Sequence, residues 1–263
     1  MNQMKPLKAP GSDELPPLFF QKHWRVVGDD VVAAVLSCLQ SGAIPPSINY
    51  TFITLIPKVK SPTKVTNYRR ISLCNILYKI VYKVIANRLK CILPNIISES
   101  RSAFQTDKAI SNNILVAFET LHHMKNQKST KSGFMALKLD MSKAYDRVEW
   151  LYLQKNMEKM GFCQQWIRLV MNCICTASYS ILVNEEPKGD IRPSRSIRQG
   201  DPLSPYLFLI CLEGLNRQIQ KAAMDDLIRG FSLCRSGPKI TQLFFANDTL
   251  LFCRAEMGDL QVI

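Results

Sequence analysis

Phe134-Met135-Ala136-Leu137-Lys138-Leu139-Asp140 sets Met135, Leu137 and Leu139 on one side of an extended chain and Ala136, Lys138 and Asp140 on the other. That two-residue period predicts a strand with one face toward a core and a carboxylate at its end. Near the far end of the sequence two apolar runs, Leu243 to Ala246 and Thr249 to Cys253, are joined by Asn247-Asp248. Polar turn residues between apolar runs predict a hairpin. Each acidic point taken alone has an ordinary explanation, since Asp ends strands and Asn-Asp makes turns.

Between these two stretches the pattern is mostly helical. Tyr145 to Met160 and Gln165 to Cys175 read as helices, Tyr179 to Val183 as a strand running into the turn Asn184-Glu185-Glu186-Pro187, and Pro205 to Ala223 as a long apolar helix. Upstream, Asp30 to Gln40 carries the stripe Val31, Val32, Val35, Leu36 and Leu39, with Gly42 placed to stop it. Thr51 to Ile56 reads as a short strand closed by Pro57. Asn75 to Lys90 is an amphipathic helix with Ile76, Leu77, Ile80, Val81, Val84 and Ile85 toward a core and Lys79, Lys83, Arg88 and Lys90 outside that stripe. Those cations form either a solvated face or a phosphate-contacting one. A further helix covers Asn112 to His122.

With 263 residues and 47% apolar content, the chain can bury a sizeable core, as one large domain or two interleaved subdomains. Lys and Arg outnumber Asp and Glu by 34 to 21, a net charge of +13, which points to a polyanionic partner or to a merely basic protein. No apolar run is long enough to span a membrane and the start lacks a signal peptide, so the nine Cys are expected to be reduced thiols of an intracellular protein. Cys163, Cys173 and Cys175 have no second pair or adjacent His at ligand spacing, which favours packed thiols over zinc.

Leu139-Asp140-Met141-Ser142-Lys143-Ala144-Tyr145-Asp146-Arg147-Val148 resembles the first carboxylate motif of LINE-type (non-LTR) retrotransposon reverse transcriptases. Arg198-Gln199-Gly200-Asp201-Pro202-Leu203-Ser204-Pro205 is similar to their template- and nucleotide-facing motif, and Phe245-Ala246-Asn247-Asp248 to their Phe-Ala-Asp-Asp hairpin. Leu55-Ile56-Pro57-Lys58 and Tyr68-Arg69-Arg70-Ile71-Ser72-Leu73 resemble their fingers motifs, and Ser102-Ala103-Phe104 the segment between fingers and palm. Order and separations match as well, over nearly the whole chain.

The resemblance implies an α+β right-hand polymerase with residues 1–133 as fingers and 134–263 as palm, built on a small antiparallel palm sheet backed by helices. It implies an RNA-directed DNA polymerase acting on an RNA template, a DNA primer and deoxynucleotide triphosphates. Phosphoryl transfer to a primer hydroxyl uses two Mg²⁺ ions about 3.5–4 Å apart, and Mg²⁺ prefers hard carboxylate and phosphate oxygens. By resemblance Asp140 and Asp248 are metal ligands and Asn247 occupies the third catalytic position. Tyr145 would close the space of a ribose 2′-hydroxyl, Gln199 and Gly200 would face nucleotide and template, and Lys58 and Arg69 would reach the triphosphate.

The sequence also departs from the pattern. Asn247 stands where the family has Asp, and an amide there removes a negative charge from the metal site. Glu14, Asp107, Glu185 and Ser196 stand where the family has Gly, Lys108 where it has Arg, and Asn112 where it has Asp. Each of these is one G-to-A codon change, the trace expected of a silenced, decaying element; Arg70 for Pro and Arg101 for Gln are not. The sequence ends soon after the hairpin, with no thumb, and no endonuclease precedes the fingers. Taken together these readings predict a degenerate copy with little or no activity, against the alternatives of a non-catalytic RNA- or hybrid-binding module and an unstable pseudogene fragment.

Overall fold

A computed structural model describes residues 4–98, 110–126, 133–141, 143–234, 237–245 and 248–262. In chain order its helices and strands are α1 (Pro17–Lys22), α2 (Trp24–Ser41), α3 (Pro46–Asn49), β1 (Tyr50–Pro57), β2 (Tyr68–Cys74), α4 (Ile76–Ile96), α5 (Ile110–Asn126) and β3 (Phe134–Asp140). They continue with α6 (Trp150–Lys159), α7 (Gln164–Cys175), β4 (Ser178–Val183), β5 (Glu186–Ile191), α8 (Ser204–Met224), β6 (Phe231–Ser232), β7 (Lys239–Ile240), β8 (Gln242–Phe244), β9 (Asp248–Arg254) and α9 (Met257–Val262). No helix among the described residues is long and apolar enough to cross a membrane. The chain forms two compact units, each assembled from two stretches: Met1–Ile92 with Tyr145–Phe208, and Leu93–Ala144 with Leu209–Ile263.

The first unit carries a four-stranded sheet in the order β2-β1-β4-β5. β1 runs antiparallel to β2 and parallel to β4, and β4 is antiparallel to β5. Ile76, Tyr78, Val81, Tyr82, Ile85 and Leu89 of α4 are buried with Leu153 and Met157 of α6 and Ile167, Val170 and Cys173 of α7. The buried face of α4 is rotated from the predicted stripe. Leu77, Ile80 and Val84 are half-buried, while Tyr78, Tyr82 and Lys79 are buried. The tyrosines can go inside because their hydroxyls find acceptors, Asp201 for Tyr78 and the Cys173 carbonyl for Tyr82.

Three local expectations need correction. The single helix over Tyr145 to Met160 is a 3₁₀ turn at Ala144–Arg147 followed by α6. The backbone of the turn is held elsewhere, since Ile197 N–H donates to the Tyr145 carbonyl at 2.9 Å and Ser196 N–H to that of Val148 at 2.9 Å. Pro187 lies in β5, a fully exposed strand whose Pro, Lys, Gly and Asp gave no strand signal. The turn before it is the two-residue pair Asn184-Glu185, with φ of 51° and 68°. Asp248 belongs to β9 itself, opposite a β8 that ends at Phe244.

The second unit holds the three-stranded antiparallel sheet β3-β9-β8. Ala117 of α5, Phe231, Leu243 and Phe252 form its buried apolar cluster, with Phe134 edge-on to Phe231. Hydrogen bonds fix the hairpin on its helices. Gln242 donates to Asn216 of α8 at 2.8 Å, Asn113 of α5 donates to the Phe244 carbonyl at 2.9 Å, and Phe245 N–H donates to the Asp248 carbonyl at 2.8 Å. The buried Asp259 accepts from the backbone N–H of Arg229 and of Arg254, each at 3.1 Å, pinning the far end of β9.

Candidate active site

In the β3–β9 ladder every residue from Phe134 to Asp140 has a partner, and the last pair is Asp140 with Asp248. Directly opposed residues in an antiparallel pair have Cα atoms about 4.5–5.5 Å apart, so both carboxylates leave one end of one sheet. Lys138 shares Asp140's face of β3 and reaches diagonally across to Asp248, Nζ to Oδ2 at 3.0 Å. That hydrogen bond, the Asp248 charge and the nearby Asp140 hold the Lys138 ammonium above its ordinary pKa. Among the described residues no group of three or more His, Cys, Asp or Glu is arranged to hold a metal. Two hard carboxylates on adjacent strands nonetheless have the donor chemistry of a divalent-cation site. Asn247 and Ser102-Ala103-Phe104 lie outside the described residues.

Tyr145, Gln199 and Gly200 belong to the first unit and share one neighbourhood there. Tyr145 is half-buried and stacks on Phe208 with ring centroids 5.2 Å apart; burial raises its hydroxyl pKa. Gln199 is exposed and donates to Asp146 Oδ1 at 3.3 Å, while Arg70 pairs with Asp146 Oδ2. Gly200 has φ +83° and open space where a Cβ would stand, so its conformation rather than crowding favours glycine.

Two neighbours that sequence reasoning left aside hold this loop. Arg198 is buried and stacks over the Tyr78 ring at 4.2 Å; its Nη2 donates to Asn49 O at 3.2 Å and to Asn49 Oδ1 at 3.1 Å. Asp201 accepts from Tyr78 Oη and, at 2.8 Å, from Leu203 N–H; burial pushes its carboxyl up to about 6, against the pull of Arg198 and these donors. Tyr78 thus carries the guanidinium on its ring and the carboxylate on its hydroxyl. Opposite charges flanking Gln199-Gly200 were the signal available for this pairing.

The fingers cations separate. Lys58 Nζ donates to the Thr66 carbonyl at 3.1 Å within its own loop. Arg70 and Cys74 of β2 contact Asp146 and Arg198, and Arg69 points to the opposite strand face by alternation. Among the described contacts neither Lys58 nor Arg69 joins the Gln199 group, whereas Arg70 does through Asp146.

Beside this loop lies a cavity of about 1650 Å³ whose wall includes Gly200, Asp201 and Pro202. Lys5, Lys8, Lys22, Arg25, Lys79 and Lys83 line it, and Asp201 is the one acidic residue on its described wall. None of the six cations takes part in an ion pair among the described residues. Desolvation by burial, chiefly, lowers the Lys79 pKa, and its Nζ donates to the Ala9 carbonyl at 3.2 Å. The Trp24 ring, also on the wall, lies against Gly28, where an added Cβ would come within 3.1 Å of it.

The family model described as "Reverse transcriptase (RNA-dependent DNA polymerase)" matches residues 56–263, through both carboxylates and the 198–205 loop. The chain belongs to the reverse transcriptase family. Its relatives include non-LTR retrotransposon proteins. The transposon TX1 uncharacterized 149 kDa protein of Xenopus laevis is 27% identical over 254 residues, 97% of this chain and 19% of that protein. The Pol polyprotein of the type-2 retrotransposable element R2DM of Drosophila melanogaster is 26% identical over 257 residues, 97% of this chain and 22% of that protein. The chain thus spans about a fifth of these relatives. Apo telomerase from Candida tropicalis superposes with a TM-score of 0.52 at 12% identity, covering 89% of this chain and 45% of that one, a likeness of fold alone. The architecture is accordingly the α+β, right-hand polymerase class. Reverse transcriptase domains generally work with divalent metal ions.

Proposed function

We propose that this reverse transcriptase domain is built for RNA-directed DNA synthesis, copying an RNA template from a DNA primer with deoxynucleotide triphosphates, and that its catalytic centre is degraded. Residues 1–133 act as fingers and 134–263 as palm. These names follow function, since the sheet of the first unit takes β1 and β2 from before residue 133 and β4 and β5 from after it. The observation that carries the reading is the pairing of Asp140 with Asp248 at the end of one ladder. Asp140 and Asp248 would hold Mg²⁺, which when bound stabilises charge on the attacking and leaving oxygens. Tyr145 limits the sugar, Gln199 and Gly200 present the loop face, and Arg198 and Asp201 position that loop. Lys58 and Arg69, which stand apart from the Gln199 group, are proposed for the triphosphate by resemblance alone. Asn247 supplies an amide where an anion is needed, so turnover is expected to be low. The site operates inside the cell. Primer extension on an RNA template with Mg²⁺ or Mn²⁺ tests this: weak synthesis abolished by Asp140→Ala supports it, and synthesis unaffected by Asp140→Ala overturns it.

A second reading, a basic module that grips RNA or RNA–DNA hybrid without catalysis, is favoured by the cavity lined by six cations that form no ion pair among the described residues. Trp24 and Lys79 on its wall suit a strand with bases to stack and phosphates to neutralise. Steeply salt-dependent binding without any extension selects this reading.

A further inference from the structure

Lys138 sits where a metal-binding site would not be expected to place a cation. Ala136, Lys138 and Asp140 share one face of β3, and the register sets Lys138 opposite Leu250 and Asp140 opposite Asp248. A long side chain can reach a diagonal cross-strand neighbour, and Lys138 does so, with Nζ 3.0 Å from Asp248 Oδ2. The Lys138 side chain is 62% exposed and that of Asp248 37%. Exposed pairs of this kind contribute little to folding, so core stability does not account for it. Its main consequence is electrostatic. Two carboxylates and one ammonium leave the strand ends with a single net negative charge, and Asn247, by sequence, adds none. A divalent ion arriving at Asp248 would meet an ammonium already bonded to one of that carboxylate's two oxygens.

We propose that Lys138 is a built-in counter-cation of this centre, neutralising Asp248 and restricting Asp140 and Asp248 to weak binding of one divalent ion. The inference rests on the reading of these two residues as metal ligands. A divalent ion at Asp248 is repelled by the ammonium, or must displace it, and either lowers affinity. The repulsion acts over a few ångströms through water-exposed space, so it is moderate and screened by salt.

Titration of the full chain with Mn²⁺, followed by electron paramagnetic resonance of the free ion at low ionic strength, tests this without any turnover. Lys138→Gln is expected to tighten Mn²⁺ binding by about threefold to tenfold, Lys138→Arg to leave it as in the parent chain, and added salt to narrow the difference. Asp248→Asn is expected to remove most of the binding. Circular dichroism of each variant checks the fold, which an exposed Lys138 leaves undisturbed. If Asp248→Asn abolishes binding but Lys138→Gln leaves it equal or weaker, the counter-cation role is overturned while the ligand reading stands. If neither Asp140→Asn nor Asp248→Asn changes Mn²⁺ binding, or no variant binds Mn²⁺, the ligand reading is overturned and the counter-cation role with it.

Discussion

Asp140 and Asp248 close the β3–β9 ladder as directly opposed residues, although more than a hundred positions separate them in sequence. The ladder is continuous for seven pairs, theirs included, and its far end is tied down by Asp259. Their spacing is therefore a property of the sheet, independent of loop conformation.

Restoring the missing anion is the direct test of the centre. Asn247→Asp is expected to raise single-turnover nucleotide incorporation with Mn²⁺ by about a hundredfold, the scale on which one electrostatic group at a transition state acts. Asp140→Ala in that background is expected to bring incorporation down to the parent level or below it. Rapid-quench measurement at saturating primer–template isolates chemistry from binding.

Nucleic-acid affinity is expected to fall steeply with salt. If each of the six cavity cations neutralises one phosphate of a single strand, the slope of log affinity against log salt is about −4. Lys22→Ala and Lys83→Ala are each expected to reduce its magnitude by about 0.7 without creating sequence preference. Fluorescence anisotropy with oligonucleotides of unrelated sequence reads both; a slope near zero would remove the cavity from consideration.

The elements legible in the sequence were those whose apolar period is simple. β3 matches its predicted span, and α2 stops at Gly42 in the left-handed conformation as expected. Asp140 stood out because it ends an alternating strand, and Asp248 because it follows a turn pair. Tyr78 and Tyr82 are absent from the predicted stripe because hydroxyl acceptors more than ninety positions away cannot be seen locally. Arg198 and Asp201 were hidden for the same reason, since charged residues are presumed exposed until a partner such as Asn49 or Tyr78 is known. β5 was missed because edge pairing to β4 needs no apolar face.

Lost glycines leave a measurable strain. By the sequence resemblance Glu14, Glu185 and Ser196 stand in place of Gly, and their φ values are 54°, 68° and 103°. Non-glycine residues pay about 1–2 kcal/mol in left-handed backbone, partly offset by glycine's larger unfolded-state entropy. Glu14→Gly, Glu185→Gly and Ser196→Gly are each expected to stabilise the chain by about 0.5–1.5 kcal/mol in urea unfolding. Their effects are expected to add for Glu14 and Glu185, which belong to separate turns.

The Tyr78–Asp201 contact predicts an unusual pH dependence. Asp201 titrates near 6 in the folded chain, above an ordinary value of 3.8, because burial disfavours its charged form more than Arg198 and its donors favour it. Between these two values the folded state binds more protons than the unfolded state, so stability falls as pH rises. The contribution is full below about pH 4 and gone above about pH 6, a difference on the order of 3 kcal/mol. Asp201→Asn is expected to remove this component, flattening the stability profile across the window relative to the parent chain. Tyr78→Phe deletes a donor to the carboxylate. It is therefore expected to move the upper limit of the window to higher pH and to cost about 1.5–3 kcal/mol at pH 8, where Asp201 is charged. At pH 4.5, where the folded carboxyl is protonated, the same substitution is expected to cost less. Urea unfolding of the three proteins at half-unit pH intervals gives both slopes; equal costs of Tyr78→Phe at pH 4.5 and pH 8 would show that the hydroxyl does not act through the charge on Asp201.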